Sequence, residues 1–248
     1  IPHPSFVLYQ DVFADKLIEL AAADERIVAI SPAMLSGSSL TKFQAKFPER
    51  SFDTGITEQH AVTFAAGLAA DGLKPIVHIY STFAQRALDQ IIHDVALQNL
   101  PVVFVLDRAG LVGQDGATHH GAFDLSFLNG IPNLQILAPI NAAELRGMLQ
   151  FALGESGPVV LRFPRGGEME AVYEERKIEK ASFEILQKPG KINVVSLGTI
   201  GQEVSKAVKD LPELGHINLR FLKPWNDVAL RAALQQSSTI ITAEEGSM

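Results

Sequence analysis

The chain has 248 residues, 47% of them hydrophobic and 20% charged, a balance typical of globular proteins with a substantial core. The net charge of −7 argues against a general nucleic-acid-binding protein, which needs a basic surface to displace counterions. Cysteine is absent, which excludes disulfides, thiolate metal sites and a cysteine nucleophile.

Apolar runs of strand length alternate with stretches of helical periodicity through the first two thirds of the chain. The predicted elements, in order, are helix 12–23, strand 27–30, helix 40–47, strand 52–56, helix 58–70 with Thr57 as its N-cap, strand 75–80, helix 83–98, strand 101–106, strand 134–137, helix 142–153 and strand 158–163. This alternation indicates parallel strands joined by crossover helices, and therefore an α/β fold.

A second, smaller α/β unit is predicted near the end of the chain. Residues 164–180 are rich in glycine, proline and charge with little periodicity, and strand or helix patterns return over 193–197, 201–209, 217–221 and 240–242. We therefore divide the chain into a first domain over 1–166, a linker over 167–185 and an incomplete second domain over 186–248. So small a core is expected to lean on the first domain or on further chain.

The two ends of the sequence predict a piece of a longer protein. The chain begins at Ile1 without Met, and it stops shortly after a strand-like run. The first residues lack the charged head and apolar centre of a secretory signal. No uninterrupted apolar run approaches the roughly 20 residues that span a bilayer, so we expect no membrane partner.

Three polar clusters follow predicted strands, where ligands gather in open α/β sheets. The first, residues 55–62, places Glu58 in the first turn of a helix. That carboxylate either suits the positive end of the helix dipole or is buried and shares a proton with a ligand nitrogen. The sequence alone leaves both interpretations open.

The other two clusters combine aromatic, cationic and titratable side chains. Residues 80–86 contain Tyr80, Phe83 and Arg86 directly after a predicted strand. Residues 107–121 contain four glycines, two aspartates, an arginine and two histidines after a buried strand. A structural loop explains the glycines but not the concentration of titratable groups, which is typical of a functional loop.

Other classes of site fit the sequence poorly. His119, Asp115 and Asp124 do not have the spacing of a zinc site. The serines lack a nucleophile elbow, and there is no phosphate-binding glycine-rich loop of the Walker or dinucleotide type.

The three clusters, in this order, resemble the pyrimidine-binding domain of the transketolase-like thiamine-diphosphate enzymes. Residues 107–124, 80–86 and 163–166 resemble one branch in particular, the 1-deoxy-D-xylulose-5-phosphate synthases. The resemblance runs from about Pro4 to Glu245. It implies thiamine diphosphate and Mg²⁺ as cofactors, pyruvate and glyceraldehyde 3-phosphate as substrates, and a homodimer.

The resemblance also implies roles for individual residues. Glu58 corresponds to the family's cofactor-activating glutamate, which hydrogen-bonds the pyrimidine ring. Phe83 corresponds to the aromatic ring against which the pyrimidine stacks, and Arg86 to a residue that closes the pocket wall.

Five further positions are assigned to the acceptor substrate, three of them by resemblance to the family. Tyr80, Arg108 and Arg165 match residues that line the acceptor site, and the two arginines suit a phosphate group. Asp115 and His119 are our candidates for proton handling at the acceptor aldehyde and its hydroxyls, and both also contact that substrate in this interpretation.

The remaining histidines receive no catalytic role. His120 is assigned none, His60 is expected to pack or support the site, and His78 and His93 are expected to be structural.

The chain departs from the family pattern at two places. Gln114-Asp115-Gly116 with Asn141 mimics the family's metal motif, but that motif belongs to a preceding domain, so we expect no metal ligand in this chain and the metal and diphosphate ligands on the domain before Ile1. A glycine-rich loop expected after Glu245 is represented only by the last three residues. The isolated chain is therefore expected to be inactive.

Several alternatives stay open at this point. A transketolase or the β subunit of a 2-oxo-acid dehydrogenase shares the glutamate helix, and a non-catalytic dimerisation module is a third possibility. A cytoplasmic location in a bacterium is favoured, and the plastid stroma is the alternative.

Overall fold

The computed structural model describes residues 6–169 and 176–247. The strands are β1 (Phe6–Leu8), β2 (Ile27–Ser31), β3 (Ser51–Asp53), β4 (Lys74–Tyr80), β5 (Val103–Ala109), β6 (Gln135–Leu137), β7 (Val159–Pro164), β8 (Gly167–Met169), β9 (Glu184–Gln187), β10 (Ile192–Ser196), β11 (Leu214–Asn218), β12 (Phe221–Lys223) and β13 (Thr239–Ala243). The α-helices are α1 (Tyr9–Ala23), α2 (Leu40–Lys46), α3 (Glu58–Ala70), α4 (Ser81–Ala84), α5 (Leu88–Gln90), α6 (Asp124–Asn129), α7 (Ala142–Gly154), α8 (Ile200–Val208) and α9 (Asp227–Ala233).

A seven-stranded sheet in the order β12-β6-β7-β5-β4-β2-β3 forms the centre of the fold. All neighbours in it are parallel except β12, which runs antiparallel to β6 at one edge. Buried apolar clusters lie on both faces, and for this reason β5 and β2 are buried along their whole length. This confirms the predicted α/β fold with a parallel sheet.

The last quarter of the chain contains a second sheet in the order β13-β10-β11-β9, with α8 packed against it. It is tied to the first sheet through β12, which follows β11 directly and crosses to pair with β6. A buried cluster reinforces this join: Glu144 of α7 accepts a hydrogen bond from Nε of Arg220 and lies within 3.4 Å of Asn218. The second unit therefore contacts the first through β12 and through this cluster.

Several element boundaries differ from the prediction. The strand predicted over 52–56 is β3 and ends at Asp53, after which Gly55 adopts a positive φ of 70°. Thr57 does not cap α3 with its side chain, because its hydroxyl donates to the carbonyl of Thr54 instead. The helix predicted over 83–98 begins at Ser81 and is divided into α4, a 3₁₀ turn, α5 and a π-helical turn over Ile91–Ala96.

The predicted linker over 167–185 contains ordered strands at both ends. Its first residues form β8, which pairs antiparallel with β1, and β9 begins at Glu184. Residues 170–175 lie outside the described part of the chain. Among the described residues, no helix has the length and apolar character that a membrane crossing requires.

Candidate active site

Three neighbouring parallel strands bring the predicted site residues to one edge of the sheet. Strand β4 ends at Tyr80, β5 carries Asp107 and Arg108 near its end, and β7 ends one residue before Arg165. Because parallel strands present their carboxyl ends at the same edge, the loops that follow them converge there. The sequence clusters therefore meet in space.

Glu58 lies at the start of α3 and is 4% exposed. Its Oε1 accepts a hydrogen bond from Nη1 of Arg86 over 3.0 Å, and the Arg86 side chain is 52% exposed. The Arg86 guanidinium also lies over the Phe83 ring, 4.9 Å from its centroid. The buried carboxylate and the aromatic ring are thus neighbours joined by a half-exposed cation, a contact that the sequence did not predict.

Phe83 is the hub of an aromatic cluster. The Tyr80 ring stacks beside it with centroids 5.9 Å apart and planes inclined by 15°. The His119 ring meets its edge at 5.4 Å and 70°. These contacts connect the loop that contains His119 to the neighbourhood of Glu58.

Arg108 and Arg165 converge on Asp115. Nε of Arg165 lies 2.9 Å from Oδ2 of Asp115, and Nε of Arg108 lies 3.4 Å from the same oxygen. The Arg108 guanidinium also lies 3.8 Å from the centroid of the Tyr80 ring, a cation–π contact. The Arg108 and Arg165 guanidiniums thus share one carboxylate, that of Asp115, and together they form a site in which an anion has two guanidinium partners.

Burial shifts the protonation of several groups at this edge. It raises the pKa of Tyr80 to about 12 and raises the pKa of Asp107 against the opposing charge of Arg108. His78 is fully buried on β4, and burial lowers its pKa to about 3. Nε2 of His78 lies 3.8 Å from Oδ2 of Asp107.

Sequence reasoning gave no role to Asp107 or Gly37, and it took His78 as structural. Asp107 contacts Arg108 directly, and the Gly37 carbonyl lies 3.4 Å from Nη1 of Arg108. A Cβ added at Gly37 would lie 2.1 Å from the Tyr80 hydroxyl oxygen, so this position has no room for a side chain. In the sequence, only the spacing of two residues between His78 and Tyr80 on one predicted strand indicates that their side chains lie on the same face of the sheet.

The other histidines have local contacts. The Val112 N–H donates to Nδ1 of His120, a contact within the loop, and His60 stacks on Phe64 with centroids 6.2 Å apart. His93 is exposed beside Asp94. Within residues 6–169 and 176–247, no cluster of three or more histidines, aspartates or glutamates has an arrangement that could hold a metal ion.

Two curated relatives are similar over nearly the whole chain. A 1-deoxy-D-xylulose-5-phosphate synthase 1 of Geobacter sulfurreducens is 47% identical over 99% of this chain and 39% of its own length. A 1-deoxy-D-xylulose-5-phosphate synthase of Azoarcus is 48% identical over 97% of the chain and 39% of its own length. The chain therefore spans about two fifths of the length of these relatives, and the resemblance to this branch is confirmed.

A solved structure agrees with the fold and a family model agrees with the domain. A chain described as a split gene transketolase, inactive beta4 tetramer, matches with a TM-score of 0.86 and 29% identity, covering 98% of this chain and 81% of that chain. The family model described as transketolase, pyrimidine binding domain, matches residues 7–167, which is more than half of the chain. The chain therefore belongs to the transketolase pyrimidine-binding domain family.

Proposed function

We propose that this chain is the pyrimidine-binding part of a longer 1-deoxy-D-xylulose-5-phosphate synthase. The reaction joins pyruvate to glyceraldehyde 3-phosphate, with loss of carbon dioxide, to give 1-deoxy-D-xylulose 5-phosphate. The proposal is supported by 47–48% identity to synthases of that name over 97–99% of the chain. The buried carboxylate of Glu58 beside the Phe83 cluster is the structural observation that carries it.

The residues at this edge fit the pyrimidine half of thiamine diphosphate. A buried acid at a helix start and an adjacent aromatic ring are the partners that a protonatable heterocycle needs, and Arg86 between them is exposed enough to move aside. When bound, thiamine diphosphate supplies a stabilised carbanion for carbon–carbon bond formation. Glu58 would hold a proton at its carboxylate and share it with a pyrimidine nitrogen, Phe83 would provide a stacking surface, and Arg86 would close the wall.

The acceptor would bind on the other side of the aromatic cluster. Its phosphate suits the Arg108 and Arg165 guanidiniums, which hold Asp115 in this structure, and a guanidinium binds two oxygens with a fixed fork. Tyr80 lies between this cationic site and Phe83 and would line the path from phosphate to reacting carbon. Asp115 and His119 would hold and move protons at the acceptor hydroxyls and aldehyde.

Further parts of the proposal concern the longer protein. Mg²⁺ and the diphosphate would be held by a domain that precedes this one, the enzyme would be a homodimer, and its place would be the cytoplasm of a bacterium. The chain alone would be inactive.

Product analysis of the intact enzyme tests the proposed reaction. With thiamine diphosphate, Mg²⁺, pyruvate and glyceraldehyde 3-phosphate, the expected product is 1-deoxy-D-xylulose 5-phosphate. Transfer of a two-carbon unit from a ketose phosphate would indicate a transketolase instead, and acyl transfer to a lipoyl carrier would indicate a 2-oxo-acid dehydrogenase. Dimerisation without cofactor binding would indicate an interaction module.

A further inference from the structure

Arg108 is held in an unusual conformation at the end of β5. Its φ is +61°, in the left-handed region that a residue with a long side chain rarely adopts. The register of β5 against β7 shifts between Leu106 and Ala109, so Arg108 lies at an irregularity of the strand. Such irregularities redirect side chains next to functional sites, and here the guanidinium is directed to Tyr80 and Asp115.

Asp107 holds both the backbone and the side chain of Arg108 in this conformation. Oδ1 of Asp107 accepts the backbone N–H of Arg108 over 2.6 Å, and Oδ2 accepts from Nη1 over 2.5 Å. The Asp107 side chain is 1% exposed, so its carboxylate supports Arg108 from the protein interior and is not open to a ligand. A charge-assisted bond of this kind fixes a guanidinium more firmly than a neutral one does.

The groups around the Asp107 carboxylate come from several elements. Arg108 lies on the same strand, and His78 lies on β4 with Nε2 3.8 Å from Oδ2. Tyr80 pairs with Asp107 across the sheet, and the Asp115 carboxylate reaches Arg108 from the loop. Arg108 is thus held on the protein side by Asp107 and Tyr80, and its Nε lies 3.4 Å from the Asp115 carboxylate without forming a hydrogen bond to it.

We propose that Asp107 is a positioning residue for acceptor binding: it sets the Arg108 guanidinium beside Tyr80 so that this cation meets the anionic group of the acceptor in a fixed orientation. This inference rests on the proposed function. Asp107 itself does not touch the substrate in this account, because its carboxylate is buried and already bonded to Arg108.

Steady-state kinetics of the intact enzyme test this role through an Asp107→Asn variant, which keeps the shape and the acceptor oxygen for the backbone N–H. The expected result is a rise of about tenfold in the KM of glyceraldehyde 3-phosphate, with kcat and the KM of pyruvate within about twofold of wild type. An unchanged acceptor KM, or equal rises for both substrates, would overturn the inference.

A double-mutant cycle separates positioning from a general structural role. If Asp107 acts through Arg108, then Asp107→Asn in an Arg108→Ala background raises the acceptor KM no further. Additive effects would contradict the proposal. Asp124→Asn is the matched control, because Asp124 also forms a buried pair with an arginine, Arg162, over 2.9 Å, and its acceptor KM should stay at the wild-type value.

The same experiments distinguish this inference from the proposed function. Wild-type enzyme that forms no 1-deoxy-D-xylulose 5-phosphate contradicts the function itself. Wild-type enzyme that forms this product, together with an unaffected Asp107→Asn variant, contradicts only the positioning role.

Discussion

Replacement of His78 by leucine tests how a buried imidazole links the stability of the fold to pH. His78 lies in the middle of β4 and is fully buried, against the rings of Phe13 and Phe163. Its ring nitrogens form no hydrogen bond to another described residue. Burial, with a smaller contribution from the charge of Arg108, lowers its pKa from 6.5 to about 3.

The sign of the effect follows from the two pKa values. Below pH 6.5 the unfolded chain takes up a proton at His78 that the folded chain does not accept until about pH 3. The stability contributed by the neutral imidazole is therefore complete above pH 6.5 and is lost as the pH falls towards 3. Each pH unit in this window costs about 1.4 kcal/mol, so His78 alone lowers the free energy of unfolding by about 2 kcal/mol at pH 5.

Urea unfolding at pH 7.5 and pH 5 measures this cost. Leucine has a similar volume and cannot titrate, so between these pH values the difference in unfolding free energy between His78→Leu and wild type should shift by about 2 kcal/mol in favour of the variant. His93→Gln, a change at an exposed histidine, is the control and should follow the wild type. An identical difference between His78→Leu and wild type at both pH values would mean that folding does not lower the pKa of His78.

Three further substitutions test other contacts. Gly37→Ala should raise the KM of the acceptor by about tenfold, because its Cβ would displace the Tyr80 hydroxyl. Gly67→Ala is the control and should leave the kinetics unchanged, because a Cβ at Gly67 meets nothing within 4 Å; equal kinetics for the two variants would contradict this prediction. Arg165→Ala should raise the KM of the acceptor about tenfold more than that of pyruvate in the same kinetic assay, and equal effects would remove it from the phosphate site. Glu144→Gln should lower the free energy of urea unfolding by about 2 kcal/mol, since it removes the buried carboxylate that pairs with Arg220 and leaves that cation only Glu184, 3.1 Å away; a wild-type midpoint would argue against a stabilising pair.

The central sheet was predictable because its strands carry a strong signal. The predicted strands over 27–30, 75–80 and 101–106 are short, mostly apolar runs separated by helical periodicity, and they correspond to β2, β4 and β5; a sheet buried on both faces requires such runs. Helix α3 was predicted with its bounds exact, since Glu58–Ala70 is alanine-rich and continuous. Strands β1, β8 and β12 were not predicted, because a strand of three residues is too short to show a periodic pattern. Strand β12 also depends on β6, a partner far away in the sequence.

The site was predictable in its membership but not in its contacts. The motifs indicated Glu58, Phe83, Arg108 and Asp115, and the structure brings these residues to one edge of the sheet. The ion pair of Glu58 with Arg86 depends on how α3 and the segmented helix after β4 approach each other, which no local pattern encodes. Their catalytic and binding roles stay predictions.

Turnover by a Glu58→Gln variant of the intact enzyme tests whether the Glu58 carboxylate activates the cofactor. Glutamine preserves the size of the side chain but cannot share a proton with a pyrimidine nitrogen. We expect kcat to fall more than about tenfold with pyruvate and glyceraldehyde 3-phosphate at saturating thiamine diphosphate. A kcat close to that of the wild type would contradict this role of Glu58.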